Sequence, residues 1–289
     1  MNEEPREMIV IARRTSMSPP PDATHSYDPP GLFAPSHIDR VVVSATFSWD
    51  RPRAEWLAVQ WRDRYPDADV QVGGPAYGDP GGEFVPGRFL KQGVTITTRG
   101  CPGCASPCLV PGREGAFRCI PIRDGNVVVD NNLAAAPHDH IERVLAMLRR
   151  QRAAPRFSGG LEARRMLDRP WFMDALADIR GAEIWTAYDC DAEHWPALAF
   201  IGEMRRRGVT RKRMRCYVLC GRDDDTVPQA VARCRDVLTA GGMPMAMLWR
   251  PDDATARRRD TEWSAMVRTF SRPALTKHEI PGRHPKGTT

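Results

Sequence analysis

Six short apolar runs alternate with four helical stretches across residues 94–249, and this alternation constrains the fold more than any other feature of the chain. The runs are Val94–Thr98, Asn126–Val129, Arg156–Ser158, Glu183–Ala187, Arg215–Cys220 and Pro244–Trp249. The helical stretches between them are His138–Gln151, Pro170–Ile179, Ala192–Arg207 and Val227–Ala240. A helix between two strands returns the chain to the end it left, so the strands it joins lie parallel. Right-handed crossovers repeated along the chain curl such a sheet into a full or partial barrel. The expectation is an α/β protein built on a partial parallel (β/α)6 barrel.

Upstream, residues 15–36 (TSMSPPPDATHSYDPPGLFAPS) are rich in Pro, Ser and Asp without periodicity and read as a loop or extended arm. Val41–Phe47 reads as a buried strand, and Arg53–Tyr65 as a helix with Ala54, Leu57, Ala58 and Trp61 on one face. Asp69–Val72 is a second strand closed by Gly73-Gly74-Pro75. Together they make a small N-terminal βαβ, Rossmann-like cap. The expected organisation is a loosely ordered arm (1–37), the cap (38–92), the barrel (93–272) and a loose tail (273–289).

No apolar run reaches bilayer length. The start, MNEEPREMIVIARR, has acidic residues where a secretory signal is basic, so a cytoplasmic location is expected, with no membrane partner. Eight cysteines in a reducing compartment point to metal or redox chemistry rather than disulfides. Charge divides unevenly. Residues 1–95 carry 10 basic and 13 acidic side chains (−3), and residues 96–289 carry 32 and 23 (+9). The basic half raises a nucleic-acid partner. Against that, Arg205-Arg206-Arg207 and Arg211-Lys212-Arg213 fall at or just past a predicted helix end, where cations suit the dipole.

Cys101, Cys104 and Cys108 fall within eight residues, directly after the first barrel strand. The residues alone leave three readings open: an iron–sulfur cluster, a zinc site completed by Cys119, or a fold that has lost its chemistry. Cys119 sits in the strand-like FRCIPI and also reads as a core thiol, as do Cys190, Cys216, Cys220 and Cys234. Reacting groups of such barrels gather at the carboxyl ends of the strands. There the chain places the cysteine loop, Asp130-Asn131-Asn132, Gly159-Gly160-Leu161-Glu162-Ala163-Arg164, Tyr188-Asp189, Gly221-Arg222-Asp223 and Arg250. Taken singly, these have plain structural readings: turn chemistry for Asn131-Asn132, an ion pair of Glu162 with Arg164 or Arg165, a helix cap for Asp189. Jointly they mark a shared site.

These residues carry a resemblance. TITTRGCP, VVVDNNLAAAPHDHIERV, FSGGLEARR, YVLCGRDDD and MAMLWRP, with VVVSATFSWD and VQVGGPAYGDPGGEFVPG upstream, make the chain similar to the radical S-adenosylmethionine (radical SAM) superfamily over residues 38–255. The likeness is to a small phage and bacterial-type branch. It implies a [4Fe-4S] cluster on Cys101, Cys104 and Cys108, SAM as cofactor, and an electron donor such as flavodoxin or ferredoxin. It further implies Asn131 and Asn132 near the methionine amino group, Glu162 at the ribose, Arg164 at the carboxylate and Gly221 close to adenine. The N-terminal piece looks like the second half of a cobalamin (B12)-binding fold, truncated and without the Asp-x-His-x-x-Gly stretch.

The spacing departs from the usual C-x3-C-x2-C. Here it is C-x2-C-x3-C, with Ala105 at the usual middle cysteine and Pro107 at the usual aromatic position. Gly103 gives the loop freedom to rearrange. No residue is assigned to the chemistry performed on the substrate. A nucleotide or nucleic-acid base ranks slightly above a peptide as substrate, on the charge and Arg clusters of the basic half and on the frequency of the resembled branch in phage genomes.

Overall fold

The computed structural model describes residues 6–79, 82–102, 108–222, 225–249 and 261–280. The chain forms a mixed α/β fold that divides into two compact units, residues 1–125 and 126–289.

The first unit is built on a four-stranded parallel sheet. Its strands are β1 (Glu7–Ile11), β2 (His25–Ser26), β3 (Arg40–Ser44) and β4 (Asp69–Gly73), in the order β2-β1-β3-β4. Helix α1 (Arg51–Arg64) joins β3 to β4, and Ala54, Leu57, Ala58 and Trp61 are its buried face, as their spacing predicts. The expected arm is corrected here. Residues 7–11 form a strand with two neighbours, paired along its length with β3 from Glu7↔Arg40 to Ile11↔Ser44. Met8, Val10 and Ala12 join the α1 side of the core, while Ile9 and Ile11 pack with Tyr27 on the other face. Burial on both faces explains why EMIVI shows no alternation: an interior parallel strand is apolar throughout.

Further along the first unit, the expected strand Val94–Thr98 is broken into β5 (Val94–Thr95) and β6 (Thr98–Arg99). The latter pairs antiparallel with β7 (Arg118–Cys119), and the short helix α2 (Val110–Glu114) lies between them.

The second unit holds five strands in sequential order: β8 (Val127–Val128), β9 (Arg156–Phe157), β10 (Glu183–Ala187), β11 (Met214–Cys220) and β12 (Met243–Leu248). Every neighbouring pair among them is parallel. Helix α3 (His138–Arg150) connects β8 to β9, and α4 (Ala163–Leu167) with α5 (Pro170–Asp178) connects β9 to β10. Helices α6 (His194–Arg206) and α7 (Val227–Ala240) precede β11 and β12. The winding never reverses, and no pairing closes the first strand onto the last among the described residues.

Helical periodicity accounts for the packing. Ile141, Val144, Leu145 and Leu148 line the buried face of α3, and Ala197, Phe200, Ile201 and Met204 that of α6. Two C-terminal helices complete the unit: α8 (Thr261–Ser271) buries Trp263, Met266 and Phe270, and α9 (Pro273–Thr276) occupies the start of the expected tail. No described helix is long and apolar enough to cross a membrane.

Candidate functional site

The cysteine loop belongs to the first unit, and its base is held by short, well-defined contacts. Gly100 adopts a left-handed conformation (φ 71°), and a Cβ there would lie 2.4 Å from the Ala116 carbonyl oxygen. Only glycine lets the end of β6 pass that close to the start of β7. Arg99, before the loop, pairs with Glu114, after it, at 3.5 Å, and Arg118 Nη1 donates to the Glu114 carbonyl at 2.8 Å. Cys101 is buried and Cys108 exposed. Cys104, with Gly103, Ala105 and Pro107, lies outside the described residues. Cys119 is exposed and stands across the ladder from Thr98, three residues before Cys101. Among the described residues no group of three or more His, Cys, Asp or Glu side chains could hold a metal. By residue type alone, three thiols on one short loop are the kind of set that holds an iron–sulfur cluster, and a fourth on a neighbouring strand the kind that closes a zinc site.

In the second unit the carboxyl ends of the strands gather the other expected residues. Asn132, after β8, is buried, and its Nδ2 donates to Glu162 Oε2, after β9, at 2.7 Å. Asn131 is half-buried beside it. The glycines of FSGG make this approach possible. A Cβ on Gly159 would lie 2.0 Å from the Asp130 carbonyl oxygen, so no other residue fits there. The next residues turn toward β10: Leu161 N–H donates to the Trp185 carbonyl at 2.8 Å, and Thr186 Oγ1 to the Leu161 carbonyl at 2.9 Å.

The cation against Glu162 is Arg165, whose Nε donates to Oε2 at 2.7 Å. Arg164 is exposed, and its guanidinium donates to the Ala192 carbonyl at 3.2 Å. The i,i+3 spacing of Glu162 and Arg165 at the start of α4 was the available signal. Gly221 (φ 74°) donates its N–H to Asp225 Oδ2 at 2.7 Å. A Cβ there would meet Leu248 Cδ1 at 2.7 Å, the movable end of a side chain, so it is the left-handed backbone that favours glycine. Asp225 is in turn held by both terminal nitrogens of Arg233, at 3.0 and 2.6 Å. Nothing in the sequence singles out this pair, because Arg233 reaches it from the second turn of α7. Asp223 and Arg250 lie outside the described residues.

Asp189 is not the cap of α6. Its Oδ1 accepts the Leu219 N–H at 3.1 Å, so it bridges from β10 to β11. Burial, reinforced by the Glu193 carboxylate, pushes its pKa up to about 6. The Asp189 N–H donates to Glu193 Oε2 at 2.7 Å. Neighbouring Tyr188 is buried, with its hydroxyl 2.6 Å from His194 Nδ1; burial raises its pKa to about 12. Cys216, Cys220 and Cys234 are fully buried in this unit, and Cys190 is half-buried. The face therefore offers amide, carboxylate and guanidinium groups on loops after adjacent strands, an arrangement suited to a polar small molecule.

Comparison of the chain with protein-family models, with curated proteins and with solved structures yields no match.

Proposed function

We propose that the chain is a radical SAM protein, with the second unit contributing to a partial (β/α)6 barrel whose strand ends bind S-adenosylmethionine. The observation that carries this reading is the hydrogen bond from Asn132 to Glu162 across the ends of two adjacent parallel strands. It draws together the two segments, DNNL and GGLE, whose residues the resemblance assigns to the cofactor's amino group and ribose. The sequential winding of β8 to β12 supports the barrel class.

Cys101, Cys104 and Cys108 would hold the [4Fe-4S] cluster. When bound and reduced by a flavodoxin- or ferredoxin-type donor, such a cluster supplies one electron for cleavage of SAM to methionine and a 5′-deoxyadenosyl radical, which takes a hydrogen atom from the substrate. The chain's own residues bind and orient. Glu162 keeps Oε1 to accept from a ribose hydroxyl while Oε2 is occupied by Asn132 and Arg165. Asn131 offers amide groups beside it; Arg164, to which the resemblance assigns the carboxylate, is exposed and donates to the Ala192 carbonyl, so its contribution to binding is small. The loop cysteines must be thiolates to act as ligands.

The test is anaerobic purification followed by iron and sulfide assay, then incubation with SAM and dithionite. The expected results are stoichiometric iron and sulfide and formation of 5′-deoxyadenosine, both lost in Cys101→Ala and Cys108→Ala. A second reading rests on the pairing of Thr98 with Cys119, which brings a fourth thiol near the loop: a zinc-stabilised binding protein without SAM chemistry. A colourless protein whose bound zinc disappears in Cys119→Ala would establish that reading and overturn the first.

A further inference from the structure

The carboxyl ends of the strands in the second unit carry the mixed polar groups described above, whereas the connections at the amino ends carry an excess of positive charge. Three connections enter β9, β10 and β11: residues 149–155, 178–182 and 205–213. They contain ten basic residues and a single acidic one, Asp178. Because β9, β10 and β11 are neighbours in the sheet, these connections lie side by side, with strand starts about 5 Å apart.

Part of this charge is structural. Arg213 donates to the Ala182 and Ile179 carbonyls at 2.8 and 3.0 Å, and Arg211 to those of Leu238 and Gly242 at 2.5 and 3.1 Å. Arg205 donates to the Val209 carbonyl at 2.5 Å, and Arg206 and Arg207 pair with Glu203. Arg211 and Arg207 meet carbonyls of a helix's last turn, at Leu238 and Glu203, and the others hold connection carbonyls or carboxylates, Arg207 also pairing with Asp174. Five cations remain: Arg149, Arg150, Arg152, Arg180 and Lys212 are exposed and make no hydrogen bond or ion pair with any described residue. The bonds that hold these connections together use the other five.

We infer that this rim is a docking surface for the phosphate backbone of double-stranded nucleic acid, on the end of the sheet away from the candidate site. Guanidinium groups bind phosphate oxygens in a fork, and four of the five cations are arginines. A membrane surface fits less well, because none of the exposed large apolar side chains of the described residues lies in these connections to enter a bilayer. Single strands fit less well too, because the connections present no aromatic ring on which bases could stack. Contact through phosphates alone is insensitive to sequence and strongly dependent on salt.

The test is fluorescence anisotropy of the full chain with a labelled duplex of about 20 base pairs, with single strands and phosphatidylglycerol vesicles as alternatives. If all five cations meet phosphates, affinity for the duplex falls on the order of 10²-fold between about 50 and 200 mM salt. The variant Arg149→Gln/Arg150→Gln/Arg152→Gln/Arg180→Gln/Lys212→Gln loses roughly tenfold or more at low salt and has a flatter salt dependence. Arg62→Gln/Arg64→Gln, in the first unit, binds as the unmodified chain does. Should the five-site variant fail to give a native circular dichroism spectrum, Arg152→Glu/Arg180→Glu tests the same rim and moves affinity in the same direction. Unchanged duplex affinity in these variants, salt-insensitive binding, tighter binding to single strands, or binding to vesicles instead would each overturn the inference.

Discussion

Glu162 Oε2 receives two donors at the same distance: Asn132 Nδ2 from the loop after β8 and Arg165 Nε from its own helix, both at 2.7 Å. The carboxylate is therefore oriented from two sides.

This geometry separates two adjacent arginines. Under the proposed function, Glu162→Ala is expected to weaken SAM binding about tenfold or more, the usual cost of losing a charge-assisted hydrogen bond. Arg165→Ala should weaken it severalfold by releasing Glu162, with partial recovery in Arg165→Lys, while Arg164→Ala stays within about threefold. Isothermal titration of SAM against the purified chain measures all four. An Arg164→Ala effect larger than that of Arg165→Ala would remove the positioning role.

Asp189 sets a pH dependence of stability. Its folded-state pKa, raised to about 6 from 3.8, means that the folded chain holds a proton the unfolded chain has released between those values. Stability therefore declines as pH rises from about 4 to about 6, and the cost is complete above the folded pKa. Asp189→Asn keeps an acceptor for the Leu219 N–H and removes the buried charge. It should raise stability at pH 7–8 by roughly 1–3 kcal/mol and flatten urea-denaturation midpoints between about pH 4 and 6. An equally steep profile in the variant would count against this assignment.

Two adjacent glycines should respond differently to alanine. At Gly159 a Cβ would collide with the Asp130 backbone at 2.0 Å, so Gly159→Ala should cost roughly 3 kcal/mol or more and displace the loop that carries Asn132. Gly160 has φ 89° and nothing within 4 Å of a Cβ, so Gly160→Ala should cost only the left-handed penalty of about 1 kcal/mol. Thermal melts of the two variants decide the order.

Helix α7 begins with a reciprocal cap. Thr226 Oγ1 accepts the Gln229 N–H, and Gln229 Oε1 accepts the Thr226 N–H at 2.9 Å. Thr226→Ala should destabilise the chain by about 1 kcal/mol, with Thr226→Ser close to neutral. Urea denaturation of the three proteins tests this, and equal midpoints would show that α7 is held by its packing alone.

The helices and the longer strands of the second unit were legible because amphipathic periodicity is a local property: α3, α6 and α7 bury the residues that their spacing selects. That the loops after the strands share one end of the sheet was legible for a related reason, since parallel winding places them there. The arm was misread because EMIVI is a strand only by virtue of β2 and β3 on either side, and pairing partners distant in sequence leave no local trace.

Within the site, residue type and spacing determined by themselves that Asn132, Glu162 and a following arginine would share one end of the sheet. Only the tertiary structure decided that Asn132 bonds to Glu162, that Asp189 bridges to Leu219 rather than capping a helix, and that Arg211 and Arg213 are held by backbone carbonyls. The physical reason is range. Periodicity and capping act over three or four residues and are written in the sequence, whereas a hydrogen bond over some thirty residues exists only once packing has fixed both ends.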